Sequence, residues 1–422
     1  MRTNFALFVL CATVASAQNA RDQWIATEAQ AMKPRLVETR RDFHKNPELS
    51  NREERTARVI AERLKAIGVD EIKTGVARYG IVALIKGKQP GPVVAWRTDM
   101  DALPIHETMD VPYKSTNAGV KHACGHDGHM AIALGTVELM AKMRDQIKGT
   151  VKFLFQPAEE GPPIGEEGGA ALMVKEGALK NPDVNAIFGL HVSPSHEVGT
   201  LGYSSGPALS SSDAFIITLK GKRSHGAYPH EGNDAMLMAT QCMQGLYAIR
   251  SRRVDGQEPT VLGLGTIQGG DRYNVVAGEV KIEGTLRTFN ENIREDIRTK
   301  MRQVLAGCTA MQDGAFDLMW RTSGTPAVVN PPALAAATAP SLERAAGKGK
   351  VIAGRPAMVS EDFSWYQREI PGFFFWLGIR NEARGITAGL HTAEMDMDED
   401  ALVVGVRAAA TTLLDYLDRG GK

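Results

Sequence analysis

The chain has 422 residues, 43% of them apolar, and its 49 Lys and Arg are balanced by 49 Asp and Glu. That length exceeds what one hydrophobic core serves and predicts two domains. The even charge argues against nucleic acid or an anionic membrane as the main partner, since both select a basic excess, so function is expected in a pocket that takes a small molecule.

The chain opens on Met1-Arg-Thr-Asn, a short apolar run from Phe5 to Val14, and Ala15-Ser-Ala17. This is the pattern of a secretory leader cleaved after Ala17, which predicts export to a periplasm or the outside. Cys11 lacks the small residue that precedes a lipidated cysteine, and neither this run nor any later one is long enough to span a bilayer. Beyond the leader, about Asp22 to Leu64 reads as helical with a break near Pro47. His44, before that break, reads as a packing or capping residue.

Gly80–Ile85 and Pro92–Trp96 have the length and apolarity of strands, the second running into Arg97-Thr-Asp-Met-Asp101. The densest chemistry follows in His122-Ala-Cys-Gly-His-Asp-Gly-His129, just before a mostly apolar helical stretch from Met130 to Met143. A cysteine there sits near a helix N-terminus, whose dipole favours a thiolate. Thr150–Phe155 is a strand ending in Gln156-Pro-Ala-Glu-Glu160, Ala186–Leu190 one ending in His191, and Phe373–Leu377 one with His391 in the loop beyond. Apolar strands alternating with helices predict a largely parallel sheet, with ligands bound beyond the strand C-termini.

From about Pro207 the pattern changes. Strands at Phe215–Leu219, Thr260–Thr266, Glu279–Arg287 and Phe316–Trp320 and helices at Asp234–Arg250 and Asn290–Met311 follow the order β-α-β-β-α-β of a ferredoxin-like domain. The domains expected are a leader at 1–17, a catalytic α/β domain at 22–206 and 325–422, and an inserted domain at 207–324. Without the leader the cysteines are Cys124, Cys242 and Cys308. The last two could pair or be core residues, and a metal would protect Cys124 in an oxidising compartment.

Cys124 and His126, two apart in a glycine-containing loop, can face one ion, and Glu160, His191 and His391 can supply the remaining positions. Five protein ligands exceed what one catalytic zinc takes while keeping a position open, so two ions with Cys124 as bridge is the simpler account. The donor types suit zinc, manganese, cobalt or nickel. Of the adjacent glutamates, Glu160 then binds metal and Glu159 acts as the base, moving a proton from the attacking water to the leaving nitrogen. Asp99 and Asp101 either orient a ligating histidine or cap the next turn. His122 and His129 are expected to hydrogen-bond around the site, and His106 and His196 to be surface or packing residues. In the insert, Gly221 to His230 presents two histidines, one of which could donate to an oxyanion, and Asn274 and Arg287 could bind a substrate carboxylate.

Asp99-Met-Asp-Ala-Leu-Pro104, Cys124-Gly-His-Asp-Gly-His129, Phe155-Gln-Pro-Ala-Glu-Glu160, Gly189-Leu-His191, His225 through Pro229-His230, Gly284-Thr-Leu-Arg287, Glu361-Asp-Phe-Ser364 and Leu390-His391 together resemble the co-catalytic metallo-amidohydrolases that include hippurate hydrolases, N-acyl-amino-acid amidohydrolases and indole-acetyl-amino-acid hydrolases. The resemblance spans nearly the whole mature chain. It implies a metallopeptidase-like catalytic domain interrupted by a lid, a homodimer built through the lids, and hydrolysis of an N-acyl amino acid, with carboxypeptidase or dipeptidase action on short peptides as the alternative. By matching positions it implies Cys124, His126, Glu160, His191 and His391 as metal ligands, Glu159 as base, His225 as oxyanion donor to the partner's site, and Asn274 and Arg287 near the substrate carboxylate. Gly161 to Glu167 is longer than the usual link, Val359 replaces a typical glycine, and Arg272, Tyr273 and Ala277 depart from smaller residues and a proline. These bear on which acyl group and amino acid fit. A hydrolase with Cys124 as nucleophile and a catalytically silent binding module are the competing classes; the paired glutamates after a strand, which a thiol nucleophile does not require, argue against the first, and retention of every proposed ligand and the base against the second.

Overall fold

The computed structural model describes residues 3–321 and 324–421, with side chains from residue 18 onward, so the expected leader and its cleavage point at Ala17 lie outside the described side chains. Among the described residues no helix is long and apolar enough to cross a membrane. The chain divides into one unit of Met1–Gly206, Asn330–Arg355 and Trp365–Lys422, and another of Pro207–Val329 and Pro356–Ser364. The sequence pattern predicts the first domain unbroken from 325. Pro356–Ser364 groups with the second unit instead, because Ser210 N–H donates to Ala357 O and Val359 O (3.2 and 2.9 Å) and Arg287 Nη1 to Met358 O (3.4 Å).

The first unit is built on one sheet of β1 (Glu71–Val76), β2 (Gly80–Lys86), β3 (Gln89–Asp99), β4 (Lys148–Gln156), β5 (Ala186–Glu197), β6 (Leu201–Tyr203), β7 (Val351–Ala353) and β8 (Gly372–Arg380), in the order β1-β2-β4-β3-β5-β8-β6-β7. The central β4, β3, β5 and β8 are parallel, while β1, β2 and β6 join antiparallel to their inner neighbours. The expected parallel sheet is therefore the middle of a mixed one. Central strands carry apolar runs because both faces are covered, as in Phe373-Phe-Phe-Trp-Leu377 of β8.

The helices are α1 (Thr3–Lys45), α2 (Glu54–Ile67), α3 (His126–Lys142), α4 (Gly169–Lys175), α5 (Pro332–Ala346) and α6 (Asp400–Asp418). The third of these packs between α1 and α6 and against the sheet, which is why its sequence is apolar nearly all round. A Cβ at Gly135 would stand 2.6 Å from Leu36 Cδ2, so glycine lets α3 approach α1. Leu36, Phe43, Ile132, Trp96, Phe153 and Phe188 share the core these layers enclose.

In the second unit, strands Thr260–Gly269, Glu279–Thr288, Asp213–Lys220 and Ala315–Trp320 form, in that spatial order, an antiparallel sheet. Helices Ala235–Arg252 and Glu291–Ala310 pack on each other and are joined by a disulfide between Cys242 and Cys308. Sequence and spatial order are those of the ferredoxin-like β-α-β-β-α-β arrangement.

Candidate metal centre

Four segments of the first unit bring the predicted ligands together. After β3, the chain passes Asp101 and returns as His122 to Gly125, and α3 starts at His126. Gly125 caps that helix at φ 86°, and a Cβ there would lie 2.4 Å from Val192 Cγ2, so only glycine turns the chain here. Glu159 and Glu160 follow β4. His191 lies within β5 rather than beyond its end, because pairing with β3 stops at Gly189 while pairing with β8 runs on to Glu197, exposing one edge of the strand. His391 takes φ 61° and its N–H is tied to Ala123 O at 2.8 Å.

Two donor groups share Cys124, one with His126 and His191 and one with Glu160 and His391, each with its ligand atoms within 4.8 Å of one another; Glu159 falls in a further group with His126 and Glu160. The Cys124 Sγ lies 3.2 Å from His191 Nε2 and 3.2 Å from His391 Nε2, and His391 Nε2 is 3.2 Å from Glu160 Oε1. Glu159 is at the edge of the cluster, its Oε2 3.8 Å from His126 Nε2.

The hydrogen bonds fix which nitrogens are available. His126 Nδ1 donates to Asp101 O (2.8 Å) and His191 Nδ1 to Val192 O (2.7 Å); a carbonyl can only accept, so in the neutral rings both Nε2 atoms present lone pairs to the cluster. His129 differs: Nδ1 donates to Asp99 Oδ1 (2.5 Å) and Nε2 accepts Val192 N–H (3.0 Å), which uses both nitrogens for structure, as expected of it. His122, expected to do the same, has no protein partner on either ring nitrogen among the described residues, and burial pulls it down to about 3, leaving a neutral ring. Asp101 orients and caps at once, since its carboxylate also accepts the N–H groups of Glu159 (3.1 Å) and Glu160 (3.0 Å). Arg97 and Ser50, to which the sequence reading gave no role, hold the two aspartates: Arg97 Nη1 donates to Asp99 Oδ2 and Ser50 Oγ to Asp101 Oδ2, both at 2.7 Å. The signal for Arg97 was a charge at the end of an apolar strand.

Burial, followed by the carboxylates of Glu160, Glu159 and Asp99, pushes the Cys124 thiol well above its ordinary range, outweighing the helix dipole expected to favour the thiolate. Burial disfavours a charged His126, yet Asp99 and Asp101 outweigh it and push that ring up to about 10. Both shifts say that these donors call for positive charge between them. His126 Nε2 is buried without a hydrogen-bond partner among the described residues, with Asp99 Oδ2 and Glu159 Oε2 each 3.8 Å away and out of hydrogen-bond reach. A soft thiolate, three imidazoles and a carboxylate around an orphaned lone pair fit a borderline divalent cation.

Residues 95–415 match the model of peptidase family M20/M25/M40. The chain belongs to that family. It is accordingly a metal-dependent hydrolase of amide bonds. Its similarity to family members is nearly end to end: 35% identity to thermostable carboxypeptidase 2 of Saccharolobus solfataricus over 91% of this chain and 96% of that one, and 37% to an N-acetylcysteine deacetylase of Bacillus subtilis over 89% and 95%. A solved structure from Bacillus subtilis, described as a dinuclear metal-binding peptidase of family M20, superposes with a TM-score of 0.78 at 34% identity, covering 92% of this chain and 99% of the other.

The other predicted residues of this M20 chain lie in the second unit. His225 is exposed, faces Val275 across a two-residue ribbon and accepts Ala227 N–H at Nδ1 (3.1 Å). Asn274 neighbours it through Gly226 N–H to Asn274 O (2.8 Å), and Arg287 lies on the strand Glu279–Thr288. Behind the metal centre, Arg40 is fully buried and binds Asp127 Oδ2 (2.7 Å) and Asp396 Oδ1 (2.6 Å), while His44 bridges Asp127 Oδ2 (2.7 Å) and Glu107 Oε1 (3.1 Å). His44 is thus the packing residue expected, at the end of α1. Arg40→Met leaves Asp127 in the core with His44 as its remaining partner of the two described, and is expected to lower unfolding free energy by about 3–5 kcal/mol in chemical denaturation. A loss below about 1 kcal/mol, the range of exposed pairs, would show that the network does not brace the start of α3.

Proposed function

We propose that the protein hydrolyses N-acyl amino acids, N-acetyl, N-benzoyl or similar, to a carboxylate and a free amino acid, with two divalent ions per subunit. The observation that carries this reading is the membership of Cys124 in both of the donor groups that hold the predicted histidine ligands, with Glu159 beside them in reach of His126 and Glu160. The N-acetylcysteine deacetylase and the dinuclear peptidase among its relatives support the substrate class and the pair of ions.

Cys124, His126 and His191 would hold one ion, and Cys124, Glu160 and His391 the other, as zinc, manganese, cobalt or nickel. When bound, the ions polarise the scissile carbonyl and make water a stronger acid. Glu159 takes the proton of the attacking water and delivers it to the leaving nitrogen. Asp101 keeps both glutamates in place through their amides. His225 donates to the oxyanion in the partner's site of a homodimer joined through the lids, and Asn274 and Arg287 bind the substrate carboxylate. The leader pattern and the buried Cys242–Cys308 disulfide support export to an oxidising compartment.

A second reading, cleavage of short peptides by the same machinery, is favoured by the carboxypeptidase relative. The cysteine-nucleophile reading is disfavoured by the raised thiol of Cys124. Metal analysis is expected to find two ions per chain, and dialysis against a chelator to abolish hydrolysis of a panel of N-acetyl, N-benzoyl and indole-acetyl amino acids until a divalent ion is restored. Undiminished turnover by metal-free protein would sink the proposal.

A further inference from the structure

The segment Ser50-Asn-Arg-Glu53, between α1 and α2, was given no role by the sequence reading, yet each of its residues reaches toward the stretch that carries Glu159 and Glu160. Ser50 Oγ donates to Asp101, Asn51 Nδ2 donates to Glu166 Oε2 and Glu167 O (both 3.0 Å), and Arg52 pairs with Glu166 (2.7 Å). Glu53 accepts Ala158 N–H at Oε1 (2.8 Å) and is fully buried.

Glu53 stands at the N-cap of α2, where an acidic side chain ordinarily accepts the first free amides of its own helix. It makes no such bond. The amides of Arg55 and Thr56 are capped instead by Glu48, at 3.0 and 2.8 Å, so the helix is satisfied and the Glu53 carboxyl is free to point away from it. Its target is a strained residue. Ala158 has φ 55°, a left-handed conformation that costs a residue with a Cβ about 1–2 kcal/mol and persists where the surroundings impose it. With Asp101 on the next two amides, three consecutive N–H groups, of Ala158, Glu159 and Glu160, are each held by a buried carboxyl group.

Resting on the proposed roles of Glu159 and Glu160, we propose that Glu53 is a positioning residue: it locks Ala158 in its left-handed turn and thereby aims the Glu159 carboxylate. Burial, with Asp101 nearby, raises the Glu53 carboxyl to about 8, which keeps it protonated at neutral pH and able to sit beside Asp101 without a second buried charge. A glutamine at this position retains the acceptor and the neutrality.

The test compares Glu53→Ala and Glu53→Gln in the metal-loaded protein. Hydrogen exchange of peptides covering 153–161 is expected to quicken about tenfold at Ala158 in the alanine variant, the worth of one buried hydrogen bond, with the rest of the core unchanged and the glutamine variant like wild type. On an N-acyl amino acid, Glu53→Ala is expected to lose about 10–100-fold in kcat at full metal occupancy and unchanged KM, and Glu53→Gln to restore it. Unchanged exchange at Ala158, or faster exchange with kcat intact, overturns the proposal, as does loss of metal in step with activity. A wild-type protein inactive on every N-acyl amino acid would sink the functional reading, and exchange at Ala158 would then alone decide whether Glu53 holds the turn.

Discussion

Glu159→Gln is expected to bind metal as the wild type does and to lose about 10²–10⁴-fold in kcat, the usual contribution of a positioned general base. The amide matches the carboxylate in shape, so packing and the backbone bond of residue 159 to Asp101 survive, and only the ability to take a proton is lost. The neighbouring substitution gives the contrast. Glu160 stands 3.2 Å from His391 Nε2 within a donor group, so Glu160→Gln is expected to shed metal and activity together. Metal analysis and steady-state kinetics on the two variants separate base from ligand. Wild-type turnover by Glu159→Gln would move the base elsewhere, and the reverse pattern would exchange the two roles.

The sequence carried these assignments because metal chemistry is written in residue types. Cysteine, histidine and paired glutamates are costly to bury without a reason, and apolar strands leading into them mark where a parallel sheet delivers them. What it obscured was distance along β5. His191 looked like a loop residue because the apolar run stops at Leu190, but β5 continues to Glu197 on pairing with β8 alone, and polar residues are tolerated there because only one edge is covered. Strand β1 escaped notice for a related reason: Glu-Ile-Lys-Thr-Gly-Val at an exposed sheet edge lacks the apolar run that betrays a central strand.

The supporting groups were less legible than the ligands. Arg40, Ser50 and Glu53 are ordinary surface types in a sequence, and nothing local says that they are buried against aspartates and amides 51 to 105 residues away, or 356 for Arg40 and Asp396. His122 shows the converse. Its place in the densest motif promised a hydrogen-bonding role, and the structure gives it none among the described residues. Side-chain chemistry identifies donors to a metal; which donors are spent on neighbours is decided by tertiary geometry, as the two engaged nitrogens of His129 illustrate.

Cys124 is where the competing mechanisms part most sharply. Because it belongs to both of these donor groups, Cys124→Ala removes a ligand from each, and is expected to leave less than one ion bound where wild type is proposed to hold two. The lost Lewis acidity is worth several kcal/mol, so turnover should fall by about 10³-fold or more. His391→Ala touches one group only and is expected to retain the ion of Cys124, His126 and His191. Loss of activity in Cys124→Ala is also what a thiol nucleophile predicts, so the deciding variant is Cys124→Asp. A carboxylate has an oxygen for each of two cations, and it is negative without needing the raised thiol of Cys124 to ionise. Under the bridging role Cys124→Asp keeps both ions and a measurable share of turnover. Under a nucleophile role it keeps metal and is dead, because the thiol that would attack the carbonyl is gone. Metal content and turnover measured together on this one protein therefore choose between the two roles of the same sulfur.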